Sequence, residues 1–243
     1  MYNYYNDNMN FGNFPYWHNR FMPPRNPEIP FDFSDPYISG YNNPMFMMNI
    51  PNYPQSQQQA QSVKINKKVL DLDNLIYRLW LEHALWTKLA ITSIASGLPD
   101  IQLVSQRLIR NSDDFAKAFL PIYGPTVAEQ FRQLLKEHIL TAADLVSALK
   151  KKDNSSANLI EKKLFKNADD IAGFLSRINP YWDRQHMRDM MYEHLNLIKA
   201  LAAAILNNKY EENITVFDKF EDQILMMADA FVDGILRQFP NKF

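Results

Sequence analysis

The chain has 243 residues, with 26 basic against 27 acidic side chains and a net charge of −1. That balance argues against nucleic acid held by bulk electrostatics, and no apolar run approaches the roughly 18–20 residues a membrane-spanning helix needs. Zero cysteines exclude disulfides, thiolate metal sites and cysteine nucleophiles, and only six glycines, unclustered, argue against a phosphate-cradling α/β enzyme.

Two regions of different composition follow one another. Residues 1–62 hold 9 of the 14 prolines, 7 of the 12 tyrosines and 6 of the 11 methionines. Their only charged groups are Arg20 and Arg25 against Asp7, Glu28, Asp32 and Asp35. Proline at this frequency blocks helices and central strands, and no periodic apolar pattern is present to bury. The expectation is a disordered tail and linker, ending in Gln55–Ser62, ahead of a helical domain over 63–243. The start MYNYYNDNMN lacks a basic region and an apolar core, so no signal peptide is expected. The segment reads either as a tether or as a self-associating, surface-docking arm for protein partners, because its side chains are sticky.

From Val63 onward proline nearly vanishes and apolar residues recur at helical spacing. Leu72, Ile76, Leu79, His83, Trp86, Ala90 and Ile94 advance by threes and fours, as do Val127, Phe131, Leu134, His138, Ala142, Leu145 and Leu149. Met187, Met190, His194, Leu197, Leu201 and Ile205 repeat the pattern. The spacing predicts six helices, over 66–96, 100–120, 125–151, 155–177, 181–208 and 211–238. The breaks carry turn chemistry, with Pro99, Pro125 and Pro180 placed to open helices.

Self-similarity is the strongest signal. LIRNSDDFAKAF from Leu108 matches LFKNADDIAGFL from Leu164, with Asn111 and Asn167 in register. Glu-His occurs three times, as Glu82-His83, Glu137-His138 and Glu193-His194, and a degenerate copy of the Asn-Asp-Asp segment is expected at MMADAF around Asp229. The unit is a helical hairpin, and three stacked hairpins can bury what one cannot. The fold class expected is therefore all-α, a six-helix up-down or ferritin-like bundle of three antiparallel hairpins. At 1.5 Å per residue, His83 and Asn111 reach similar heights on facing helices, as do His138 and Asn167.

All three histidines lie in mid-stripe, and each preceding glutamate sits about 100° around the helix. Buried neutral histidines bonded to Asn111, Asp114, Asn167 or Asp170 satisfy this pattern. The chemical alternative is an Fe, Mn or Zn site drawn from His83, His138, His194, Glu82, Glu137, Glu193, Asp114 and Asp170. Di-iron bundles, however, place Glu three residues before His, where this chain has Trp80, Leu135 and Met191. Asp183 and His186 have that spacing alone, at a helix start, where Asp183 suits the dipole. No nucleophile elbow or dinucleotide fingerprint occurs, so no catalytic residue is assigned. The Lys150-Lys151-Lys152 run reads as a solvated helix end.

With LWLEHALWT, RLIRNSDDFA, NADDIAGFL, INPYW and MADAFVDGI before Arg237-Gln-Phe-Pro240, residues 70–240 resemble a family of helical proteins of unknown function from spore-forming Firmicutes. Members of that family often carry the name acetylglutamate kinase, although true acetylglutamate kinases are α/β proteins with glycine-rich loops. The Glu-His helices are also distantly similar to ferritin-like two-bundle proteins, some suspected of holding iron. A Tyr-, Asn- and Pro-rich arm on a helical body is similar in style to spore-coat proteins. These resemblances imply a structural or interaction protein made in the cytoplasm and deposited on the spore, with a metal-binding protein or metal-dependent oxidoreductase as the alternative.

Overall fold

Each expected apolar stripe forms a helix in the computed structural model, which describes residues 66–243. The tail and linker expected over 1–62 lie outside the described residues. The helices are α1 (Lys67–Ser96), α2 (Ile101–Tyr123), α3 (Pro125–Lys150), α4 (Asn154–Ile178), α5 (Arg184–Leu206) and α6 (Tyr210–Gln238). Among the described residues there is no strand, and no helix is long and apolar enough to cross a membrane.

Local chemistry sets the boundaries. Asn66 caps α1 by accepting from the Lys68 amide, and Asp153 caps α4 by accepting from the Ser156 amide. Gly97 ends α1 at φ +70°, a left-handed position that favours glycine, and Leu98 then donates to the Ser93 carbonyl. Lys150 is not the solvated helix end expected from its charge run. Its ammonium donates to the Ile94 carbonyl at 2.7 Å, closing the last turn of α1 from α3. Proline opens α3 at Pro125 as expected, but not α5. After Pro180, Asn179 accepts from the Tyr181 amide and Trp182 folds inward. Asp183 is then the N-cap of a helix that begins at Arg184 rather than near 181. α2 also outruns its expected end at 120, passing through Pro121 to Tyr123. Tyr123 packs 5.2 Å from Phe119 and 5.8 Å from Trp182, and this tertiary anchoring outweighs the proline's lost amide.

Consecutive helices pack along their lengths, and α6 closes back on α1. Within this ring the odd helices touch one another, α1 lying along both α3 and α5. The result is an inner trio of α1, α3 and α5 flanked by α2, α4 and α6, with one inner and one outer helix from each hairpin. Below the level of the histidines an aromatic cluster fills the interior, with Phe119 stacked on Phe131 at 4.5 Å and Trp80 edge-on to Phe115 and Phe231. Each fully buried ring there contributes on the order of 1.5–3 kcal/mol relative to exposure.

Two close contacts seal the lower end. Trp182 is buried, and its indole N–H donates to the Ala230 carbonyl at 2.9 Å. It packs against Gly234, where an added Cβ would stand 2.0 Å from the indole nitrogen. The C-terminal residues cross the base of α1, where Asn66 donates to the Phe243 carbonyl at 2.7 Å and Lys68 to that of Lys242 at 3.1 Å.

Candidate functional site: three amide-held imidazoles

His83, His138 and His194 come from the three inner helices and meet in the interior, with exposures of 2%, 2% and 1%. The His194 ring lies 5.5 Å from that of His83 and 5.7 Å from that of His138, centroid to centroid. Trp80 stands edge-on to His83 at 5.8 Å, and Phe220 lies 5.1 Å from His194.

Each ring is held by one amide from the outer helix of its own hairpin. His83 Nδ1 is 3.1 Å from Asn111 Oδ1, His138 Nδ1 is 2.9 Å from Asn167 Oδ1, and His194 Nδ1 is 3.3 Å from Gln223 Oε1. The amide nitrogens donate to backbone carbonyls, Asn111 to Leu79 at 3.0 Å, Asn167 to Leu134 at 3.1 Å and Gln223 to Met190 at 3.0 Å. In every hairpin that carbonyl lies four residues before the histidine, so one side-chain amide bridges a ring and the helical turn beneath it. Because the NH2 end of each amide is committed to a carbonyl, the oxygen end faces the ring. Nδ1 must therefore carry the proton, and Nε2 is left as a lone-pair acceptor.

This geometry corrects the third repeat. The partner of His194 is Gln223, not a residue of the segment around Asp229. Gln223 stands 56 positions after Asn167, the same interval that separates Asn167 from Asn111. The change from Asn to Gln hid the equivalence, while the constant spacing would have revealed it. Asp229 instead accepts from the Tyr77 hydroxyl across the α1–α6 seam.

The carboxylates nominated with the histidines lie elsewhere. Glu82 pairs with Arg107 at 2.8 Å, and Glu137 with Lys163 at 3.2 Å. Asp114 pairs with Lys117 at 2.9 Å, and Asp170 with Lys166 at 2.6 Å. Glu193 is exposed on α5. The 100° offset between adjacent helical residues explains this division, since a histidine facing the axis turns its preceding glutamate towards the outer helix or solvent. Among the described residues no group of three or more His, Asp or Glu side chains is placed to hold a metal ion.

Burial sets the electrostatics. Desolvation lowers His83 from 6.5 to about 4, aided by the nearby His138 and opposed by the Asn111 bond. Desolvation likewise lowers His138 to about 4, against the Asn167 bond. His194 is pushed well below its ordinary value by burial and by both neighbouring imidazoles. All three are neutral at pH 7.

A scan against protein-family models matched no family, and searches of curated proteins and of solved structures found no similar protein.

Proposed function

We propose that this chain is a non-enzymatic structural or interaction protein in which the helical unit is a rigid support and residues 1–62 are the arm that engages partners or further copies, on a spore surface. The observation that supports this reading is the amide-held histidine layer. The polar residues buried at the heart of the unit are bonded one to one within their own hairpins, an arrangement that fixes helix register. The abrupt composition change near residue 62 supports the division of labour, since the aromatic, methionine and proline side chains concentrate on one side of it.

Deleting residues 1–62 tests the proposal. The truncated protein is expected to keep its far-ultraviolet circular dichroism per helical residue and its cooperative melt, but to lose self-assembly in sedimentation and attachment to spores in a pull-down. Attachment and assembly equal to those of the full chain would defeat it. Elemental analysis separates the metal-binding alternative. Iron, manganese or zinc near stoichiometry in the purified full chain, lost in His138→Ala, would replace the structural reading with a metal-dependent one.

A further inference from the structure

A void of about 10 Å³ has all three imidazoles in its lining and lies at the lower edge of the roughly 10–15 Å³ that admits one water molecule. The rest of its wall is apolar, with Leu135, Met187, Met191 and Met227 among its residues, except for Trp80, whose buried indole N–H has no partner among the described residues. The three amides occupy the Nδ1 edges of the rings, so what the histidines offer on their other edges is Nε2 lone pairs. His138 Nε2 is fully buried and has no hydrogen-bond partner among the described residues. A buried acceptor in that condition costs about 1–3 kcal/mol, and protein interiors meet such groups with ordered water where space allows.

We infer that this void is a binding site for one internal water molecule, which donates one O–H to His138 Nε2 and the other to Nε2 of the adjacent His194 ring. The chemistry selects the ligand. The imidazole lone pairs take a hydrogen-bond donor, and Trp80, whose unpartnered indole N–H belongs to the same wall, offers a donor in turn, so the ligand that suits the site is one that both donates and accepts, as water does. Its size excludes anything larger than water. Its wall carries no carboxylate to neutralise a cation, because Glu82 and Glu137 are paired on the outer side and Glu193 is exposed. The bound water ties the α3 and α5 rings together, whereas the amides tie each ring only to its own hairpin.

The full-length protein, labelled at methionine ε-methyls and histidine nitrogens, supplies the test. Water-selective Overhauser spectra are expected to show a cross-peak of the sign of a long-lived water at the Met191 and Met227 methyls. Nitrogen spectra are expected to show Nδ1 protonated and Nε2 unprotonated in all three rings. His138→Phe fills the void and removes the acceptor, so the methyl cross-peaks should vanish while the circular dichroism is kept. If that variant does not fold, the spectra of the native protein decide alone. The inference is overturned by the absence of any water cross-peak at the void-lining methyls of the native protein, or by a proton on His138 Nε2. It is equally overturned by a ligand-field band on adding cobalt(II), which would give the lone pairs to a metal. None of these outcomes depends on what the N-terminal segment does.

Discussion

Acidification is expected to unfold the helical unit at a pH where most carboxylates are still charged. His83 and His138 sit at about 4 in the folded state against an ordinary value of 6.5, and His194 is depressed further. The groups that face them from the outer helices, Asn111, Asn167 and Gln223, are neutral amides. Between pH 6.5 and pH 4 the unfolded chain therefore binds more protons than the native one. The contribution is complete above the unfolded value and drains away as the pH falls toward the folded one. With these values each of His83 and His138 forfeits about 2 kcal/mol by pH 5 and about 3 kcal/mol by pH 4. The pair alone removes about 4 kcal/mol at pH 5, against the roughly 5–15 kcal/mol of a typical domain. Depressed carboxylates act mainly below this window, although Glu129, lowered from 4.5 to about 2 by its Arg132 and Gln133 bonds, enters at its lower end. Asp114 is raised by its partial burial but lowered more by Lys117 and Arg110, and Asp153 is lowered by hydrogen bonds from the Ser156 side chain and amide. Glu193, although exposed on α5, is raised by partial desolvation and so acts in the opposite direction. Urea melts followed by circular dichroism at several pH values measure the slope. His138→Phe, which removes one of the three protons, should flatten it by about a third. A stability that stays level from pH 7 to pH 5, or resonances of His83, His138 or His194 that titrate near 6.5 in the folded protein, would refute the reasoning.

Asn111→Ala leaves His83 Nδ1 and the Leu79 carbonyl without this shared amide and is expected to cost about 2–4 kcal/mol in the same melts; a loss under about 0.5 kcal/mol would show that the bridge does not hold the hairpin. Gly234→Ala drives a methyl into the Trp182 indole and should break its bond to the Ala230 carbonyl, lowering stability by about 1–3 kcal/mol and shifting tryptophan fluorescence. Trp80 Nε1 is buried without a partner among the described residues whereas Trp182 Nε1 has one, so Trp182→Phe should be the more damaging of the two tryptophan substitutions. Equal midpoints for the two would contradict the hydrogen-bond assignment. Lys150→Met removes the cation that closes α1 and should lower stability by about 0.5–1.5 kcal/mol without altering helix content.

The histidine layer was legible because a helix is a ruler. Counting 1.5 Å per residue from each turn places His83 opposite Asn111 and His138 opposite Asn167, and the structure has both bonds. What periodicity cannot convey is which neighbour a polar tip chooses. Asp114 and Asp170 stand one turn beyond the asparagines at the right height, yet they turn to Lys117 and Lys166 on their own helices. Lys150 looked like one charge in a run of three, and its bond to the Ile94 carbonyl requires knowing that α3 ends beside α1. The start of α5 was misplaced for a related reason. Pro180 suits a helix opening locally, but the burial of Trp182 against Gly234 postpones the first turn. Gln223 shares the 56-residue spacing of the asparagines but not their residue type, so the spacing identifies it and the residue type does not.

The closure of α6 onto α1 means that every hairpin sets its outer helix against the next hairpin's inner helix in one cyclic order, although α3 and α5 touch far less than α1 touches either. One unit of about 55 residues therefore already possesses each face the finished ring uses, together with a single imidazole and a single amide to set its level. Three separate copies of such a peptide are expected to approach the same arrangement as a cyclic homotrimer, which sedimentation of the peptide checks. The linkers after Tyr123 and Ile178 fix the order of the units rather than creating the contacts between them.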